Sequence, residues 1–205
     1  MKLLAVDTTR KSASIYLVDG QFNKVRTLKD DEKQSEFLML NVDSFLKENS
    51  LSLSEIDMFG VVTGPGSFTG IRVGIATIKA FSYALNKNIV SSTVFDVVKG
   101  EVKNGIFLTE CTSTTCYFAD IKNGKIVETG VVDKGNIKEF NKELFILEEE
   151  HILNNEAYKL NVLKNYSDLC CNKMMELAKK GDHTAPEPFY IQISQAERNL
   201  EKKND

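Results

Sequence analysis

Histidine is scarce in this sequence, and the cysteines do not have the spacing of a metal site. The 205 residues include two histidines, His151 and His183, and neither has a histidine four residues away. A zinc hydrolase of the H-E-x-x-H type is therefore excluded. No C-x-x-C pair occurs among the four cysteines, Cys111, Cys116, Cys170 and Cys171. We expect reduced thiols, no disulfide framework, no metal and no cofactor.

Long apolar runs and an excess of one charge are also missing. The apolar run at the N-terminus stops at Asp7, which is too short for a signal peptide. No stretch approaches the roughly 20 apolar residues that a membrane-spanning helix needs. The formal net charge is −3, so a strongly basic face for nucleic acid is not expected. These features predict a cytoplasmic protein without membrane contact.

The first half of the chain reads as three strands followed by alternating helices and strands. Apolar runs at residues 2–8, 13–18 and 24–29 predict strands, with Asp19-Gly20 as a hairpin turn. Helical periodicity at residues 34–49, 69–86 and 94–100 alternates with strands that end at Thr63 and Ser91. The order β-β-β-α-β-α-β-α is that of a ribonuclease H-like unit.

The second half repeats this beginning in a weaker form. Residues 109–112 occupy the place of residues 6–9, and strands at residues 117–121 and 125–132 follow around the turn Asn123-Gly124. A further strand at residues 144–147 and a helix at residues 167–180 complete the pattern. Such duplication is typical of the α/β fold of the actin-like ATPase and sugar kinase superfamily. We predict subdomains at residues 1–100 and 101–205, the second of them reduced.

A glycine-rich segment, Gly64-Pro65-Gly66-Ser67-Phe68-Thr69-Gly70, lies between a predicted strand and the helix that follows. It has the position of a phosphate loop, but no Lys-Ser or Lys-Thr follows its last glycine. The favoured interpretation is a tight strand-to-helix connection, in which Ser67 or Thr69 caps the helix.

The helices at residues 34–49 and 69–86 have more apolar surface than one core contact requires. The only charged residues between Thr69 and Leu85 are Arg72 and Lys79, which share one narrow strip. In the earlier helix, Phe37 and Leu40 fall outside the core stripe of Leu38, Val42, Phe45 and Leu46. We therefore predict a partner interface built from Phe37, Leu40, Gly70, Gly74, Thr77, Ala80, Phe81 and Ala84.

Asp7 ends the first strand, where ATPases of this superfamily place a carboxylate beside hydrated Mg²⁺. Asp7, Thr8 and Thr9 are thus a candidate vestigial phosphate site, and a small ATPase or kinase that uses Asp7 is the alternative function. Against it, the corresponding turn at residues 110–113 has no glycine, and the chain has no Gly-Gly pair. A ribonuclease H-like nuclease would need companion carboxylates that the sequence does not place near Asp7.

Two segments, Leu4-Ala5-Val6-Asp7-Thr8-Thr9 and the run from Val62 to Gly74, resemble the TsaB/YeaZ family, the dimerisation subunit of the bacterial threonylcarbamoyladenosine complex. The run G-P-G-S-F-T-G-I-R-V-G is long and specific. The segments Pro188-Phe189-Tyr190 and Ala196-Glu197-Arg198 are similar to the C-terminal part of that family. The chain departs from the family pattern at Gln34, at Thr109-Glu110-Cys111 and at Gln192.

The resemblance implies a non-catalytic subunit that supports a catalytic paralogue. That paralogue transfers a threonylcarbamoyl group to the adenosine beside the anticodon of tRNAs and binds metal through a pair of histidines, which this chain lacks. The implied partners are the catalytic paralogue, an ATPase subunit and, through the complex, tRNA. A homodimer is expected when the chain is alone.

Overall fold

The computed structural model describes residues 1–20, 22–28, 34–148, 150 and 158–192. Within them, the strands are β1 (Lys2–Asp7), β2 (Ser14–Asp19), β3 (Phe22–Thr27), β4 (Met58–Val62), β5 (Asn88–Ser92), β6 (Asn104–Glu110), β7 (Thr115–Lys122), β8 (Lys125–Asp133), β9 (Leu144–Leu147) and β10 (Leu160–Leu163). The α-helices are α1 (Gln34–Glu48), α2 (Phe68–Leu85), α3 (Val94–Val98) and α4 (Tyr166–Lys180).

The predicted elements are present, and their ends differ by a few residues. The largest shift is in β3, which begins at Phe22 and ends at Thr27, whereas the prediction ran from Lys24 to Lys29. Three elements were not predicted, the strand β10 and the 3-10 helices at Leu53–Glu55 and Lys134–Phe140. All three are short, so none contains enough residues to establish a hydrophobic period.

Two five-stranded sheets share one topology, which confirms the predicted duplication. The first sheet has the order β3-β2-β1-β4-β5, and the second has the order β8-β7-β6-β9-β10 when written in the same direction. In each sheet, the first three strands pair antiparallel, the fourth pairs parallel to the first, and the fifth pairs parallel to the fourth. The second unit is reduced, because a 3-10 helix stands where α1 stands in the first.

Strand β1 is buried on both faces because a helical layer covers each side of the first sheet. Leu4 and Val6 pack with the core residues of α1 and α2, whereas Leu3 and Ala5 pack with α3 and α4. This explains why the strand reads as a continuous apolar run. The predicted α1 core stripe of Leu38, Val42, Phe45 and Leu46 is buried in the first of these cores.

Helices α3 and α4 lie between the two sheets. Their buried side chains form one core with inward residues of the first sheet and with Phe107, Ala119 and Ile121 of the second. The outer face of the second sheet packs around Ile137 of the 3-10 helix. Because one core joins both halves, the boundary between residues 100 and 101 stays a prediction. Within the described residues, no helix is long and apolar enough to cross a membrane.

Candidate functional site

The loop after β1 contains the candidate phosphate site, and its carboxylate is engaged by the chain itself. Asp7 is buried, and its Oδ1 accepts hydrogen bonds from the backbone N–H of Thr9 at 2.9 Å and from the Thr9 hydroxyl at 2.6 Å. This is the strand-end turn in which an aspartate satisfies nearby donors. Thr8 is also buried, with its Oγ1 against Gly74 of α2.

The second oxygen of Asp7 is held by residues that the sequence motif does not include. Its Oδ2 accepts a hydrogen bond from the Tyr166 hydroxyl at 3.2 Å and lies 3.6 Å from a guanidinium nitrogen of Arg10. The Arg10 guanidinium carbon lies 4.0 Å from the centre of the Tyr166 ring. Burial, together with the Asp7 charge, raises the pKa of Tyr166, so its hydroxyl remains a donor. Tyr166 and Arg10 therefore occupy the space beside Asp7.

Glu150 of the second half is also close to Arg10. The Thr109 hydroxyl donates a short hydrogen bond to its Oε1, and its Oε2 is buried. Burial raises the pKa of Glu150 to about 7, although Thr109 and the Arg10 charge act in the opposite direction. The positive charge of Arg10 therefore acts on carboxyl groups of both halves, Asp7 and Glu150.

We expect Asp7→Asn to lower the stability of the chain and to leave ATP hydrolysis unchanged. An amide retains one acceptor but directs an NH₂ group at donors, and Arg10 cannot turn into an acceptor. The expected loss in the free energy of unfolding is about 1–3 kcal/mol, measured by urea denaturation. Tyr166→Phe removes the hydroxyl that donates to Asp7 Oδ2, and it should lower the stability by a smaller amount. Phosphate release that disappears in Asp7→Asn without a stability change would instead support the ATPase alternative.

The glycine-rich segment is a tight connection between β4 and α2, as predicted. The Ser67 hydroxyl accepts a hydrogen bond from the backbone N–H of Gly70 at 3.1 Å and so caps α2. The Ser67 backbone N–H donates to the Thr9 carbonyl at 2.6 Å, and the Gly64 carbonyl accepts from the backbone N–H of Val94 at 2.8 Å. These backbone groups are therefore engaged in hydrogen bonds within the chain.

Helices α1 and α2 carry apolar side chains on their outward sides. On α1, Phe37 is 37% exposed and Leu40 is 64% exposed. On α2, Ala80 and Ala84 are exposed, and Thr77 is half-buried. These five residues are the part of the predicted interface that a partner can reach. We call them, together with Ala76 and the 93% exposed Tyr83 of α2, the outer helix face.

The other three predicted interface residues lie inside the chain. Gly70 and Gly74 are buried, and a side chain at Gly74 would overlap Thr8. Phe81 is buried against Phe59, with ring centres 5.5 Å apart. The small residues at positions 70 and 74 thus let α2 approach β1 of the same chain. We leave these three residues out of the outer helix face.

A C-terminal segment that sequence reasoning did not place lies over the start of α2. The Phe189 backbone N–H donates to the Thr63 carbonyl at 2.8 Å, and the Tyr190 ring stacks on Phe68 at 4.4 Å. Pro188-Phe189-Tyr190 stood out in the sequence only by family resemblance. The similar segment Ala196-Glu197-Arg198 is outside the described residues.

A family model described as tRNA N6-adenosine threonylcarbamoyltransferase, TsaD, matches residues 30–96. The TsaB protein of tRNA threonylcarbamoyladenosine biosynthesis in Escherichia coli is 32% identical over 108 residues, which cover 51% of this chain and 46% of that protein. The chain is similar to proteins of the TsaB/YeaZ family. It spans about half the length of these curated TsaB relatives.

Solved structures agree with a TsaB/YeaZ-type fold. YeaZ from Pseudomonas aeruginosa superposes with a TM-score of 0.66 at 16% identity, over 92% of this chain and 99% of that one. A Bacteroides thetaiotaomicron protein with the actin-like ATPase fold gives 0.51 at 7% identity, over 83% and 95%. These likenesses confirm the predicted fold class, two ribonuclease H-like units arranged as in the actin-like ATPase fold.

Proposed function

We propose that this chain is the non-catalytic dimerisation subunit of a complex that forms N6-threonylcarbamoyladenosine in tRNA. In this role it pairs through the outer helix face with a catalytic threonylcarbamoyltransferase paralogue and holds that subunit in an active conformation. The proposal extends the function for which the TsaB relatives are named to a chain that aligns with about half of their length. The reaction would take place in the cytoplasm, where tRNA is the substrate of the complex.

The observation that carries this proposal is the outward side of α2. Ala76, Ala80, Tyr83 and Ala84 are exposed there, and α2 contains no acidic residue. Small side chains let another helix come close, and the exposed Tyr83 ring supplies area that a partner can bury. Leu40 of α1 adds an exposed apolar side chain on the same layer of the first sheet. Exposed apolar side chains on neighbouring helices are typical of a protein interaction site.

Two features support a role without catalysis. Both oxygens of Asp7 accept hydrogen bonds or an ion pair from Thr9, Tyr166 and Arg10, so a hydrated cation would have to displace these contacts. In addition, the described part of the chain contains no group of three histidine, cysteine, aspartate or glutamate residues arranged to hold a metal. The catalytic groups would therefore come from the paralogue.

The further partners follow from the same role. An ATPase subunit and tRNA would bind a surface that this chain and the paralogue form together, because the net charge of −3 makes the chain a poor phosphate-binding surface alone. Without the paralogue, the outer helix faces of two copies are expected to pair as a homodimer.

Light scattering after size-exclusion chromatography tests the proposed function. The chain should elute as a homodimer alone and as a one-to-one complex after addition of the threonylcarbamoyltransferase paralogue from the same organism. The observed mass decides between the two species, because each subunit has a different size. Absence of a complex at tens of micromolar would contradict the proposal.

A further inference from the structure

Residues 187–190 cross the start of α2 as an extended strap, which we name the C-terminal strap. Its course is fixed by backbone contacts: the Phe189 N–H donates to the Thr63 carbonyl at 2.8 Å, and the Phe189 carbonyl lies where a side chain at Gly64 would stand, 2.5 Å from that Cβ position. The Phe189 ring packs edge-on against Phe95, with ring centres 6.2 Å apart. The strap is therefore seated on the first half of the chain.

The strap contacts both cations of α2. Arg72 donates a hydrogen bond from its Nε to the Tyr190 hydroxyl at 3.0 Å, while its guanidinium carbon lies 4.0 Å from the centre of the Phe68 ring. Tyr190 stacks on the same Phe68 ring, with an angle of 20° between the planes. Lys79 pairs with Glu187 at 3.4 Å. Arg72 and Lys79 are the only charged residues of α2.

These contacts determine the charge that the outer helix face presents. Arg72 and Lys79 lie along one edge of the exposed side of α2, next to Ala76, Ala80 and Tyr83. With the strap in place, the Arg72 guanidinium lies over the Phe68 ring and Lys79 has a carboxylate partner. Without those contacts, both long side chains could extend over the alanines, and a partner would have to bury unpaired cations.

We propose that the C-terminal strap is a specificity-determining part of the outer helix face. By holding Arg72 and Lys79 at the edge, Tyr190 and Glu187 select a partner surface that is helical, apolar and uncharged. This inference rests on the proposed function, since it concerns the surface that would meet the paralogue. An acidic partner surface would instead attract both cations away from the strap.

The test removes the two strap contacts and keeps the shape of each side chain. Tyr190→Phe deletes the hydroxyl that accepts from Arg72, and Glu187→Gln deletes the charge that pairs with Lys79. We expect the double variant to bind the threonylcarbamoyltransferase paralogue at least about tenfold more weakly by titration calorimetry, because Lys79 then has no carboxylate partner and Arg72 is held only by its ring contacts. Its melting temperature should change little, since the rings and backbone contacts remain.

A rescue variant separates charge from structure. Adding Arg72→Met and Lys79→Met to the double variant removes the freed cations, so its affinity should return to within about threefold of the original chain. Glu176→Gln is the matched control, because Glu176 is an exposed carboxylate on α4 that pairs with Lys173 and Lys180. This control should bind as the original chain does.

Each other outcome overturns a distinct claim. Failure of the original chain to bind the paralogue would overturn the proposed function before any variant is compared. Binding by the original chain with equal or tighter binding by the double variant would overturn the strap inference alone. Weaker binding that the methionine substitutions do not restore would mean that the strap acts only through the packing of the chain.

Discussion

Replacing Ala80 with glutamate is expected to weaken binding of the threonylcarbamoyltransferase paralogue by at least about 100-fold. Ala80 is exposed on the outer helix face, and complex formation would bury a carboxylate without a partner, which costs about 3–5 kcal/mol. The isolated chain should remain folded, since glutamate at an exposed helix position costs only a few tenths of a kcal/mol. Titration calorimetry gives the affinity, and thermal melting gives the stability.

Two further variants test whether this effect is specific to the outer helix face. Phe37→Glu should have the same direction of effect, because Phe37 lies on the exposed side of α1. Val127→Glu is the matched control, since Val127 is 52% exposed on β8 of the second sheet, away from the outer helix face. Unchanged affinity for Ala80→Glu would show that the partner binds elsewhere on the chain. Loss of binding for Val127→Glu would show that the effect is not specific to the helices.

Gly66→Ala is expected to lower the free energy of unfolding by about 3 kcal/mol or more. Gly66 has a φ of +154°, which side-chain-bearing residues rarely adopt, and an added Cβ would lie 2.8 Å from the carbonyl carbon of Thr9 and overlap its oxygen. Because the neighbour is backbone, it cannot rotate away. For a chain of this size, the melting temperature should fall by about 6–12 °C.

Gly100→Ala is the control for this prediction. A Cβ at Gly100 meets nothing within 4 Å, and its φ is not positive, so its stability should stay within about 0.5 kcal/mol of the original. Both proteins are measured without nucleotide. Unchanged stability of Gly66→Ala would contradict the tight connection between β4 and α2. It would instead favour a phosphate-binding role for this loop.

Sequence reasoning succeeded where a local pattern carries the structural information. The helical period of α1 placed Leu38, Val42, Phe45 and Leu46 in the core, and all four are buried. The strand-to-helix connection and the Ser67 cap followed from side chains within a few residues of each other. Such features depend on backbone geometry and near neighbours, which the order of residues specifies directly.

It failed where the answer depends on contacts between distant segments. Tyr166 contacts Asp7 although the two are 159 positions apart, and no pattern near either residue predicts this contact. Gly74 and Phe81 belong to an apolar helix, but periodicity alone does not say whether an apolar side faces the same chain or a partner. The structure places both within the chain, and it leaves Ala80 and Ala84 outside.

The order of residues alone was enough to predict the duplicated α/β fold, the core stripe of α1, the tight glycine-rich connection and the family resemblance, because each of these depends on short-range patterns. The tertiary structure was needed to show that Tyr166 contacts Asp7, and that Tyr190 and Glu187 hold the cations of α2. The reason is physical: packing brings together side chains that are more than 100 positions apart, and no local propensity encodes which of them meet.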